Sequence, residues 1–267
     1  SLGTPLLMAS FPLGPNVGIS DYGAQALTYM NHVLKYDGLG SITKNLRSMN
    51  LASGVDMNMM ESSANTMVYA IFPMITQKSS EDYRVAAEKI LEVFFSGVKA
   101  NQRVDEELYN SLNAFGKYSL AWADVSSGSD VSGTASDFAA KMLTRDPRYI
   151  ISHDYIIAQP DVANVQAVMN KLVPENMNVL LAQSLWDEDQ ATDYEYWYQI
   201  KYAASKIPEA LLERYRNADT SISIATPALK YVPTEMELVS DSAGVHPMLY
   251  QTDSDVSTKV IMDGLGG

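Results

Sequence analysis

Three observations predict an α+β fold, a mainly antiparallel sheet with helices packed on one face. The order of segments is a strand, helices, two strands, three helices and a strand, without the strict alternation that builds a parallel sheet. Gly54-Val55-Asp56-Met57-Asn58-Met59 alternates apolar and polar residues, the period of a strand with one wet face. Asn65 to Ile75, with Met67, Tyr69, Ile71 and Met74, reads as a second strand returning antiparallel to the first through a Ser62-Ser63 turn.

Pro5 to Leu13 is apolar and bounded by Pro and Gly, which predicts the first strand. Leu27, Met30, Val33 and Leu34 recur at three- and four-residue spacing, so a helix buried on one side follows, with Ser20-Asp21 expected to cap its start. Gly38-Leu39-Gly40-Ser41 ends that helix, because glycine reaches backbone angles closed to other residues, and Ser41 is placed to cap a second helix from Ile42 to Met49. Ser79-Ser80-Glu81-Asp82 is a further capping signal. Behind it Val85, Ile90, Leu91, Phe94, Phe95 and Val98 lie at helical spacing until Gly97 to Gln102 weakens the pattern. Asp105-Glu106-Glu107 puts acidic residues where the helix dipole favours them, and Leu108, Leu112, Phe115, Leu120 and Trp122 continue that helix.

Val125 to Gly133 has the composition of an exposed loop, and Phe138, Met142 and Leu143 suggest a shorter helix ending at Asp146-Pro147. Ile150 to Ile157 is ambiguous between a strand and a turn of helix. Asp161 caps a helix from Val162 to Leu172, Pro174-Glu175-Asn176 turns the chain, and Met177 to Leu181 is a short strand. After the acidic stretch Trp186 to Asp193, the aromatic run Tyr194 to Tyr202 reads as a segment pinned to the domain surface rather than a stacking platform. Glu209 to Tyr215 is a short helix, and the prolines at 227, 233 and 247 then give linker composition.

Composition narrows the function classes. The 267 residues with 46% hydrophobic content suffice for a sizeable core, and a formal charge of -13 repels phosphate backbones and anionic lipid, so neither nucleic acid nor a membrane is an expected partner. Zero cysteines excludes disulfides, thiolate metal sites and cysteine nucleophiles, while leaving the compartment open with the cytoplasm favoured. The start at Ser1, without an initiator Met, suggests a piece of something longer. No pair among His32, His153 and His246 stands one helical turn apart, and no His-x-x-Glu-His or His-Glu-x-x-His occurs, so a helical zinc site is not expected. Gly38-x-Gly40 lacks the third glycine of a dinucleotide loop and lies between helices, and no Gly-x-Ser-x-Gly elbow or Walker loop exists. Taken alone, His32 and Asp37 are a partly buried helix histidine and an acidic residue beyond the helix end.

Tyr29 to Leu34, Asp37 to Ser41, Leu172 to Asn176, Trp197 to Tyr202 with Ile207-Pro208, Asn217 to Asp219 and Tyr231 to Thr234, taken in order, resemble the insulinase or pitrilysin family of inverted-zincin peptidases. Tyr29-Met30-Asn31-His32-Val33-Leu34 followed by Asp37-Gly38-Leu39-Gly40-Ser41 is similar to the family's helix and Glu-Gly-x-Gly-Ser corner, and Leu172-Val173-Pro174-Glu175-Asn176 to its Leu-Arg-Pro-Glu-Asn turn. Trp197-Tyr198-x-x-Lys201-Tyr202 with Ile207-Pro208, Asn217-Ala218-Asp219, and Tyr231-Val232-Pro233-Thr234 recur there at near-matching spacing.

In that family four α+β repeats form two halves that close as a chamber around peptides, with the zinc ligands in the first repeat. The resemblance implies a non-catalytic second repeat over residues 1–190, an aromatic and proline-containing linker over 191–247 and the possible start of the next repeat over 248–267. It also implies a substrate-anchoring role, through strand addition at the opening unit, for His32, Asp37, Gly38, Val55, Asp56 and Met57. Lys35 stands where the family has glycine, and Asp56-Met57-Asn58 replaces a glycine-containing segment, so a narrower or altered site is expected. No cofactor is expected in these residues, zinc being expected in the missing first repeat, and the chain alone should be inactive. The expected partners are a peptide substrate, the other repeats of the parent and a homo-oligomeric copy. The alternative is a structural or regulatory module of an inactive paralogue that assembles with partner chains.

Overall fold

The computed structural model describes residues 5–14, 25–63, 66–75, 83–121, 131–143, 146–157, 161–183, 191–232, 247–251 and 258–262. The chain divides into two compact units, Ser1–Val232 and Pro233–Gly267. In the smaller unit β7 (Pro247–Gln251) and β8 (Thr258–Met262) form an antiparallel hairpin.

The larger unit is the expected antiparallel sheet covered by helices. Strands β1 (Leu6–Gly14), β2 (Ala52–Ser63), β3 (Thr66–Ile75) and β4 (Asn178–Ala182) lie in the order β2-β3-β1-β4, every neighbouring pair antiparallel. On β1 the odd residues Leu7, Ala9, Phe11 and Leu13 are buried while the even ones are only partly covered, so one face of the sheet carries the core. Ser62 and Ser63 belong to β2, with Ser63 paired to Thr66, so the turn falls beyond the two serines. The β3–β1 ladder runs from Met67 to Ile71 and ends before Pro73, which has no N–H to donate to a strand.

Helices α1 (Ala26–Leu34), α2 (Ile42–Ser48), α3 (Tyr83–Ala100), α4 (Glu106–Ala121) and α6 (Val162–Met169) supply the other layer, while α5 (Val131–Met142) contributes no described residue to the core. Phe11 of β1 stacks on Phe94 at 5.5 Å between ring centres and meets Phe95 edge-on at 6.0 Å, which seats α3 across the sheet. Tyr29 of α1 packs edge-to-face on Tyr109 of α4 at 6.0 Å and accepts the Asp105 N–H through its hydroxyl at 2.9 Å. Asp105 itself caps α4, accepting from the N–H groups of Glu107 and Leu108, and Asp161 caps α6 by accepting from Asn164.

Several expectations are corrected. Ser20-Asp21 and Ser79 to Asp82 lie outside the described residues, and the residue at the start of α1 is Gln25. It takes a left-handed conformation (φ 45°) and sends its amide to the carbonyls of His153 and Ile156 instead of capping the helix. Helix α3 continues through Gly97 to Ala100, and α5 starts at Val131, inside the expected loop. Val85 is 73% exposed because it shares a helix face with Lys89 and Glu92, off the buried stripe. Phe115 is likewise exposed, the end of α4 turning Gly116 towards the Tyr155 carbonyl. Residues 150–157 are not a strand: of the two alternatives the turn-like one holds, with the His153 N–H donating to the Tyr149 carbonyl and the Ile156 N–H to the Ser152 carbonyl, and His153 and Ile157 buried.

Beyond residue 190 the chain forms a hairpin of β5 (Asp193–Glu195) and β6 (Ile200–Tyr202), then helix α7 (Glu209–Arg216). The aromatic run does not pin the segment, since Tyr196, Trp197 and Tyr198 at the hairpin tip are 76%, 83% and 81% exposed. Burial comes later: Tyr215 stacks on Phe95 at 5.5 Å, and Tyr215 and Ala218 both join the core. Desolvation in that stack pushes the Tyr215 hydroxyl up to about 12.

Helix α2 crosses α3 at Gly97, where a β-carbon would lie 2.3 Å from Ile42 Cγ1. Gly97→Ala should therefore destabilise the fold by roughly 1–3 kcal/mol through overpacking, offset by up to about 1 kcal/mol of helix propensity. Pairing it with Ile42→Ala, which removes the clashing atoms, should make the second substitution less costly than it is alone. Urea denaturation of the two single variants and the double variant measures this, and additive losses would contradict the close crossing.

Candidate functional site

The opening unit places the expected site residues along one path, from the end of α1 through a glycine corner to β2. Leu27, Met30, Val33 and Leu34 are buried in the core, which fixes the helix and leaves His32 half-buried. The corner turns at Gly40, whose φ of 73° favours glycine, and the Gly38 carbonyl accepts the Ser41 N–H at 3.2 Å. Ser41 then caps α2 as expected, its hydroxyl accepting the Lys44 N–H at 3.1 Å.

A segment far along the sequence holds this corner in place. The Ile224 N–H donates to the Gly40 carbonyl at 3.2 Å, and Asn45 Nδ2 donates to the Ile222 carbonyl at 2.7 Å. Ser96 of α3 donates to the Asp219 carbonyl at 2.5 Å and lies 2.8 Å from the Ser223 hydroxyl, while Lys99 reaches the Ala218 carbonyl at 3.0 Å. Thr226 closes the path: its N–H donates to Asn101 Oδ1 at 2.8 Å, and its hydroxyl donates to the Val33 carbonyl at 3.1 Å. Residues 217–226 thus form a strap over α1, α2 and α3.

Strand β2 stands at an end of the sheet, so among the described residues no strand pairs with its outer backbone edge. Met57 is fully buried and Val55 partly so, both on the core side, whereas Asp56 and Asn58 are exposed on the other. Met57 can therefore offer an incoming chain its backbone but not its side chain. Asn58 Nδ2 donates to Asp56 Oδ2 at 2.7 Å, and Lys35 Nζ approaches Asn58 Oδ1 at 3.4 Å.

Asp37 is not a free carboxylate. Arg47 of α2 binds both its oxygens at 3.2 and 3.0 Å and donates its Nε–H to the Ser53 carbonyl at 2.6 Å, linking the corner to the start of β2. Arg47 and the strap were missed in the sequence because neither has a local pattern. Among the described residues no group of three or more His, Cys, Asp or Glu could hold a metal ion, and no helix is long and apolar enough to cross a membrane. At the far edge of the sheet, a groove of about 280 Å³ lies between β4 and α7, lined by Ala87, Leu91, Val179, Leu181, Pro208 and Leu211.

The family model described as the middle or third domain of peptidase M16 matches residues 126–258. Insulin-degrading enzyme from Mus musculus is 22% identical over 216 residues, covering 79% of this chain and 20% of that protein. The chain belongs to the insulinase/pitrilysin family. It spans about a fifth of the length of the curated relatives it matches, among them insulin-degrading enzyme-like 1, peroxisomal, of Arabidopsis thaliana, 20% identical over 87% of this chain and 23% of that one. The crystal structure of pitrilysin superposes with a TM-score of 0.75 at 16% identity over 95% of this chain and 26% of that chain, which shows the family fold.

In this insulinase-like unit, burial alone lowers the pKa of His32 below the ordinary histidine value. The folded state then binds a proton less readily than the unfolded one. The stability that follows from neutral His32 is complete above the unfolded pKa of about 6.5 and is lost as pH falls from there through the lower folded pKa. Denaturation midpoints should drop as pH falls below about 6.5, and His32→Gln should flatten that drop. An unchanged slope in the variant would show that another group carries it.

Proposed function

We propose that this chain is the non-catalytic, substrate-contacting repeat of an insulinase-like zinc metallopeptidase that degrades peptides in an enclosed chamber. Residues 1–190 would be the repeat, 191–247 the linker between halves and 248–267 the start of the next repeat. Zinc would be held by a repeat outside these residues. The observation that carries the reading is the free edge of β2 beside the α1–α2 corner. An edge backbone pairs with an extended peptide regardless of its side chains, which suits a chamber acting on varied peptides.

His32, Asp37 and Gly38 would line the end of the path, and Val55, Asp56 and Met57 would contribute the strand. The Arg47 ion pair modifies the expected anchoring, because a peptide ammonium has to share or displace the guanidinium on Asp37. An exposed pair contributes only about 0.2–1 kcal/mol, so the exchange is near neutral and backbone pairing dominates. The same ion pair is what favours the second reading, a module of an inactive paralogue in which the corner no longer receives an amino terminus.

Titrating one extended peptide, free and acetylated at its amino terminus, separates the two. Acetylation should weaken binding to the wild type by up to about fivefold, and more in Arg47→Ala, where Asp37 is released. The difference should vanish in Asp37→Asn. Equal affinity of both peptides for the wild type and for Arg47→Ala would remove the anchoring role.

A further inference from the structure

Among the described residues of the opening unit, Lys35 is a cation without an ion-pair partner, as is Lys44 on α2, but Lys35 is the one that reaches β2. It caps the C-terminal end of α1, is exposed, and among the described residues its ammonium makes one long contact, 3.4 Å to the neutral Oδ1 of Asn58. Among the described residues no carboxylate lies within ion-pair distance of it, in a chain where Asp plus Glu outnumber Lys plus Arg by 32 to 19. The neighbouring cation differs, since Arg47 is neutralised by Asp37.

The direction of that reach is informative. Helix α1 packs on the core side of the sheet through Met30, Val33 and Leu34, the side on which Met57 is buried. Asn58 follows Met57, so strand alternation turns its side chain to the opposite, wet side. To meet Asn58 from α1, the lysine side chain has to pass around the open edge of β2. Its ammonium therefore sits at the line along which an added strand would run, on the wet face, where the described anion on that face, Asp56, is already bonded by Asn58 at 2.7 Å.

We infer that Lys35 is a specificity-determining residue that selects, on a peptide added to β2, an acidic side chain at one position. This rests on the strand-addition reading above and names its substrate preference. A residue opposite Asn58 points to the same face as Asn58, and so towards the ammonium, while its neighbours on either side point away. The start of the path is marked by Arg47 at Ser53. From Ser53 to Asn58 the strand rises roughly 17 Å, which puts the acidic side chain at about the sixth residue of a peptide whose amino terminus lies at the corner.

The test uses the full chain and a set of otherwise neutral peptides with a free amino terminus and one Glu moved a position at a time, each compared with its Gln counterpart. Affinity should peak at a single position near the sixth, by about two- to fivefold over Gln, with no gain at the positions on either side. Lys35→Met should abolish the peak while leaving the Gln peptides bound as before, and Lys35→Glu should move the preference to a Lys peptide at the same position. A flat profile with binding intact, or a peak that persists in Lys35→Met, overturns the role of Lys35 and leaves strand addition standing. Failure of every peptide to bind overturns strand addition and the selectivity together.

Discussion

The corner at Gly40 is held by hydrogen bonds from a segment almost two hundred residues away in sequence, and the candidate site depends on that attachment. Gly40 alone permits the turn from α1 to α2, but a glycine turn is also floppy, because the same freedom is present in the unfolded chain. The Ile224 N–H on its carbonyl and the Asn45 amide on the Ile222 carbonyl remove that freedom. Thr226 adds a bond to the last turn of α1 through the Val33 carbonyl. Leaving one such buried group without its partner costs about 1–3 kcal/mol, so the strap and the corner stand or fall together.

Position along β2 then separates what can be bound from what is merely packed. The core side of the strand is closed by Met57, and the sheet continues on its inner edge with β3. The outer edge and the wet face remain, bracketed by Arg47 with Asp37 at one end and Lys35 at the other. Exposed edges invite unwanted pairing, and charged side chains beside them are a common protection. Lys35 and Arg47 serve that purpose whether or not a peptide is present, and their small individual energies allow a ligand to displace them.

Much of this was legible in the sequence where the signal is local. The apolar stripe of α1, the Ser41 and Asp161 caps and the alternation from Val55 to Asn58 each depend on neighbours within one helical turn or one strand, and each formed as expected. Misreadings came where partners are distant. Val85 and Phe115 fit a helical spacing, yet the neighbouring elements decide which stripe is covered. The aromatic run at Tyr196 to Tyr198 looked like an anchor but lies at a hairpin tip, while less conspicuous residues, Tyr215 and Ala218, bind the segment to the core. Of the residues expected to anchor a peptide, Met57 is buried in the core, and the Arg47 pair on Asp37 was not legible, because only the folded corner brings residues ten apart together.

Amide hydrogen exchange on the full chain, with and without a saturating free-amino-terminus peptide, tests strand addition most directly. An added strand donates and accepts along the outer edge of β2, so exchange should slow in the peptide segment containing Ser53 to Asn58 and stay unchanged at β4, Asn178–Ala182. Protection confined to β4, or binding with no slowing anywhere in β2, would contradict an anchoring role for this edge.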